Sequence, residues 1–159
     1  MIITLEGLSK HPEKAECLVE ATEFFGEVLL GKRMAKGITI DLEIRKKTDF
    51  KGECVNEDDT RRSRWFTITL RDEDINKMVA TLAHEMVHVK QYVRNELGKK
   101  HVIIHDDRLE IQSMWMGELW KPRPGEDPFY DSPWEIEAYG REVGLTHRFV
   151  KHWEQVNKQ

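Results

Sequence analysis

Apolar and polar residues alternate most regularly in ITIDLEIR, residues 38–45. Ile38, Ile40, Leu42 and Ile44 point one way, and Thr39, Asp41, Glu43 and Arg45 the other. A period of two predicts a half-buried strand. RWFTITL, residues 64–70, is rich in aromatic and β-branched side chains and predicts another. Residues 2–6 predict a short strand ahead of both. The period becomes helical at Ala15, Leu18, Val19, Phe25 and Leu29, with Ser9 and Pro12 at the start and Gly31 as the stop. Asp72, Glu73 and Asp74 place acids where a helix N-terminus favours them. A second helix is predicted from there to Leu97, ended by Gly98. Residues 46–63 are polar and predict a loop long enough to act as a flap. Residues 101–112 predict a hairpin turning at Asp106 and Asp107. The prolines of residues 117–133 predict an irregular loop. Ser132-Pro133-Trp134-Glu135 has the form of a capping box with proline at N1, opening a last helix that Gly144 is expected to break in two. The expected fold is α+β: one domain over residues 1–159, with a small, twisted, mostly antiparallel sheet. The first two helices back that sheet, and the last one closes over them.

Composition narrows the partners. The chain has 159 residues, enough to bury a core without disulfide or metal staples, and a formal charge of −4 with both signs mixed. That balance argues against nucleic acid or an anionic membrane as partner, since both reward a basic patch. No apolar run reaches membrane-spanning length, and MIITLEGLSK lacks the basic and apolar regions of a signal peptide. The only cysteines, Cys17 and Cys54, fit reduced thiols, so a cytoplasmic protein is expected.

The candidate chemistry lies in the second helix, in LAHEMVHVKQY, residues 82–92. At about 100° per residue, His84 and His88 sit roughly 40° apart and one turn above each other, so their rings can meet at one point. Ile75, Val79, Leu82, Met86, Val89, Val93 and Leu97 form a stripe roughly opposite His84, while Ala80, Ala83 and Val87 cover much of the rest. A helix apolar nearly all round should be buried. A polar trio in its midst then needs partners, and a metal ion supplies them. Two imidazoles one turn apart suit Zn²⁺ with a third protein ligand and a water. The metal lowers that water's pKa towards ~7. Glu85, directly after the first histidine, is placed to take its proton and later give it to the leaving amine. The spacing H-E-x-x-H carries this mechanism.

The third ligand is open on residue type alone. Glu135, Glu137 and Glu142 all fall on the last helix; Glu135 and Glu142 share a face, and Glu137 points nearly the opposite way. Glu135 also has a competing place as the N3 acid of the capping box. Glu142 can orient a ligand histidine or a nearby arginine. HEMVH followed by E-x-x-A in SPWEIEAYGRE resembles the small gluzincin-like zinc metallopeptidases: minigluzincins, the ImmA/IrrE and prenyl-protease/HtpX groups, and above all compact SprT-like metallopeptidases of phage genomes. The resemblance spans about residues 64–145. It implies a minimal zincin-like domain and a ligand glutamate three residues before an alanine, which here is Glu135 before Ala138. The acid or amide that often follows that alanine is Tyr139 here. SprT proteins proper take a third histidine, for which His101, His105 and His147 are the candidates. The resemblance also implies that strand 64–70 forms the upper edge of the cleft.

The expected function is therefore a zinc metalloendopeptidase that hydrolyses peptide bonds. His84, His88 and Glu135 hold Zn²⁺, Glu85 acts as base and acid, and a peptide or protein is the substrate. Trp115 and Trp120 wall the cleft or sit in the core. Tyr130, Tyr139 and His147 are candidate oxyanion donors, and Cys54 is a candidate thiolate switch on the metal. Two other readings remain: a zinc-stabilised binding or regulatory protein without activity, and a narrow protease of one regulatory or phage protein.

Overall fold

The computed structural model describes residues 1–58, 60–104 and 108–158. In chain order the elements are β1 (Ile2–Glu6), α1 (Pro12–Leu30), α2 (Lys32–Ala35), β2 (Thr39–Arg45), β3 (Gly52–Asn56) and β4 (Trp65–Arg71). They continue with α3 (Ile75–Val93), β5 (Leu97–Ile103), β6 (Leu109–Trp115), β7 (Glu118–Leu119) and α4 (Pro133–Val156). The α+β class holds, but the main sheet is not mostly antiparallel. Its order is β1-β2-β4-β3; β1 pairs with β2 and β2 with β4 in parallel, and only β3 runs against its neighbour. The cause is α1, which carries the chain back along the sheet, so that β2 starts beside the start of β1. A strand–helix–strand order in the sequence was the available signal. β5, β6 and β7 make a separate antiparallel sheet.

The alternation in ITIDLEIR is realised in β2. Ile40, Leu42 and Ile44 are buried and meet Phe66, Ile68 and Leu70 of β4 in one core. Helix α3 is the central element and packs against α1, α4, β3 and β4. Nearly every side chain from Met78 to Val93 is buried, as its apolar circumference predicted. Phe25 of α1 and Phe149 of α4 close the core, with ring centroids 5.6 Å apart. Among the described residues, no helix is long and apolar enough to cross a membrane.

Several boundaries differ from the sequence expectation. Residues 46–63 are not one loop, because they contain β3. GECVN hides its strand behind a glycine, a glutamate and an asparagine, the composition of an edge strand. Helix α3 stops at Val93 rather than Leu97. Asn95 takes a left-handed φ of 56°, and the Glu96 N–H donates to the Gln91 carbonyl at 2.8 Å, a Schellman stop. Leu97 and Gly98 therefore begin β5. The hairpin runs longer than predicted, over β5 and β6, and its expected turn at Asp106–Asp107 lies outside the described residues. Gly144 does not break α4, which is continuous from Pro133 to Val156.

Candidate metal centre

Helices α3 and α4 cross where Ala138 is fully buried, its lack of a long side chain allowing the approach. About this point α4 presents Glu135 and Glu142 roughly 60° and 40° to one side, and Glu137 roughly 100° to the other. The geometry of the last helix thus divides its three acids between two jobs.

On the first side, Glu135 reaches both histidines. Its Oε2 lies 3.1 Å from His84 Nε2 and its Oε1 3.2 Å from His88 Nε2. All three side chains are buried, and their ligand atoms lie within 4.8 Å of one another, close enough to hold a metal ion. The capping role does not compete for this carboxylate: Ser132 makes no side-chain cap and donates instead to the Phe129 carbonyl at 2.6 Å. The far nitrogen of each ring also has a partner. His84 Nδ1 is 3.0 Å from Glu142 Oε2, and His88 Nδ1 is 2.9 Å from Gln91 Oε1. Both imidazoles are thus held from behind while their Nε2 atoms turn to one place. Two imidazole nitrogens and a carboxylate suit Zn²⁺ in the way that an all-oxygen cage would not.

Glu85 stands beside this group without joining it. Burial pushes its carboxyl up to about 7, against the charges of His88 and His84 and with help from Glu135 and Glu53. Its neighbour is β3. A Cβ built on Gly52 would lie 2.8 Å from Glu85 Oε1 and closer still to Thr81 Cγ2. Only glycine lets the strand run this close to the helix. Gly52→Ala should therefore destabilise the fold by the ~1–3 kcal/mol typical of overpacking and displace Glu85. Denaturant unfolding checks the first effect. An unchanged midpoint would show that β3 can move away freely.

The chain matches no family model, no curated protein and no solved structure. The chemistry of the site rests on its own residues.

Several expected residues fall elsewhere. Strand 64–70 is not the cleft edge, since β4 is hydrogen-bonded on both sides; β3 is the free edge beside Glu85. Of the third-histidine candidates, His101 and His147 are exposed and do not join the group, and His105 lies outside the described residues. Trp115 and Trp120 pack on Trp134, with centroids 6.3 and 4.9 Å away, and tie the small sheet to the start of α4. Tyr139 sets its ring edge-on to His84 at 4.5 Å, with Tyr130 behind it at 6.1 Å. Cys54 is not part of the metal-holding group. Burial, then the charges of Glu85, Glu53 and Glu57, raise its thiol well above the ordinary range, which disfavours a thiolate.

Sequence reasoning missed the other side of the crossing. Glu137 does not stand idle. Its carboxylate accepts from Lys90 Nζ at 2.6 Å, Gln91 Nε2 at 2.9 Å and Arg141 Nε at 2.8 Å. The one signal was the spacing of Gln91, three residues after His88 and so on its face.

The ionisation of the group predicts a pH dependence. Burial lowers both imidazoles, but hydrogen bonds to Glu135 and the charges of Glu85 and Glu135 outweigh it, so both end above 6.5. Burial would raise Glu135, yet its bonds from His84 and His88 hold it at about 2 rather than 4.5. A raised imidazole stabilises the fold below 6.5 and loses that contribution as pH climbs through its folded value. The raised Glu85 acts in the same direction between 4.5 and about 7, because the unfolded chain ionises first. Glu135 acts oppositely, but only below 4.5. The metal-free protein should therefore lose thermal stability as pH rises from 4.5 through about 7 and on until both imidazoles have shed their protons. The gain on adding zinc should grow over the same range, because ligand histidines must shed their protons. Calorimetry with and without zinc checks both slopes, and parallel slopes would contradict the assignment.

Proposed function

We propose that this protein is a zinc-dependent peptidase in which His84, His88 and Glu135 hold the metal and Glu85 moves the proton. The observation that carries the reading is the convergence of two Nε2 atoms and one carboxylate among buried side chains, with a separate buried acid, Glu85, beside them. The resemblance of HEMVH and the downstream E-x-x-A to gluzincin-like peptidases supports it. Bound zinc supplies Lewis acidity and lowers the pKa of water at the site.

The rest belongs to the chain. Glu85 accepts a proton from the attacking water as its oxygen adds to the peptide carbonyl carbon. It then passes that proton to the departing nitrogen as the C–N bond breaks. Burial, then the charges of Tyr130, Glu135, Glu142 and Glu85, raise the Tyr139 phenol, so it keeps its proton and can donate a hydrogen bond to developing negative charge. The open edge of β3 runs past Glu85 and offers main-chain groups to an extended peptide, which would bind as an added strand.

The test is a proteome-derived peptide mixture incubated with zinc-loaded protein, with and without chelator, and read by mass spectrometry for new termini. Chelator-sensitive cleavage is expected. Intact peptides after incubation with fully loaded protein would favour the metal-stabilised binding protein instead.

A further inference from the structure

The two histidines are backed differently. A carboxylate holds His84, and it can accept a hydrogen bond through either oxygen. An amide holds His88, and an amide works in only one orientation: its oxygen accepts, while its nitrogen would oppose a ring N–H. Gln91 is fully buried, so water cannot correct a wrong orientation.

Its surroundings fix the orientation. Gln91 Nε2 donates to the Trp134 carbonyl at 3.0 Å and to Glu137 Oε2 at 2.9 Å, which uses both of its hydrogens. Turning the amide over would set Oε1 against a carbonyl and a carboxylate, two acceptors with no proton between them. Oε1 must therefore face His88 Nδ1, as it does at 2.9 Å. Nδ1 then carries the hydrogen, and the lone pair of the neutral ring lies on Nε2, the atom turned towards Glu135. Glu137 is itself anchored, accepting from Lys90 and Arg141 on its other oxygen, while Lys90 is shared with Glu96 at 2.7 Å.

We infer that Glu137 is a positioning residue for the metal centre: through Gln91 it locks His88 in the tautomer that leaves Nε2 free to bind metal. The inference rests on the metal reading of His84, His88 and Glu135. It assigns a task to a half-buried acid that is hydrogen-bonded to neither histidine, and it makes the chain Lys90–Glu137–Gln91–His88 one functional unit.

The experiment measures zinc affinity by chelator competition for the parent protein, Glu137→Gln, and the double variant Glu137→Gln with Gln91→Glu. The thermal transition of each metal-free form is recorded alongside. Glu137→Gln keeps size and shape but lets the amide at 91 turn over, and affinity should fall by the ~10–100-fold that an outer hydrogen-bond partner supplies. The double variant exchanges acid and amide. A carboxylate at 91 accepts from Nδ1 in either orientation, so affinity should recover most of the way; the Trp134 carbonyl loses its donor, which keeps recovery incomplete. If Glu137 mattered only as the partner of Lys90 and Arg141, moving the acid to 91 would restore nothing, and that result overturns the inference. Equal affinity in the parent and Glu137→Gln also overturns it while leaving the metal site standing. A parent that fails to bind zinc removes the metal reading and the inference together. Should Glu137→Gln fold poorly, the double variant alone decides, by binding zinc near the parent level or far below it.

Discussion

Glu85→Gln is expected to lower peptide hydrolysis by about 10²–10⁴-fold while leaving zinc binding intact. The split follows from position. Glu85 contributes no atom to the group formed by His84, His88 and Glu135, so an amide there removes no ligand. What it would remove, on the proposed mechanism, is the proton carrier. Stability should not suffer, because burial already pushes this carboxyl up to about 7 and the fold tolerates the neutral form best. Above that pH the variant should melt at the same temperature as the parent or higher, since it no longer has to bury a charge. Rate, zinc content and thermal transition measured on one preparation check all three points. A variant that still cleaves peptides would remove Glu85 from the mechanism. A biological activity that survives unchanged would point to a binding protein.

The second large effect is expected at Glu135. Its two oxygens are the shared partner of both Nε2 atoms, so Glu135→Ala would take away one of the three groups placed to hold a metal. Zinc affinity should fall by more than the ~10–100-fold expected of an outer partner. The metal-free protein should lose stability too below pH 6.5, where the protonated rings would be left without an acceptor for two buried Nε2–H groups, at about 1–3 kcal/mol each. Glu142→Ala should cost less. It frees His84 Nδ1, but this carboxylate is partly exposed and water can replace it. Zinc competition across these variants gives the order. Glu142→Ala emptying the site while Glu135→Ala does not would reverse the assignment of the last helix.

The grouping of the candidate residues was largely legible in the sequence because its parts obey one local period. HEMVH places both imidazoles on one face of a helix, and the apolar residues around them announce burial. Glu135 and Glu142 share a face for the same reason, and both stand on the side of α4 that reaches the histidines. The pattern of ITIDLEIR likewise gave β2 its inward face. What stayed hidden depends on packing between distant segments. Residue β3 Gly52 is conspicuous only when α3 lies against it. Glu137 was expected to point away from the site, and in angle it does; the crossing at Ala138 brings Lys90 and Gln91 to meet it from the far side. The helix end was missed because Asn95 takes the left-handed turn that Gly98 was expected to supply. The parallel pairing is set by the helix that joins β1 to β2, a relation that the pattern within any single strand does not carry.

The most direct measurement is a titration of metal-free protein with zinc, followed by calorimetry and by metal analysis after gel filtration. One zinc should be retained per chain, with a rise in the thermal transition that both His84→Ala and His88→Ala abolish. Retention of no zinc by the parent, or full retention by either histidine variant, would contradict it.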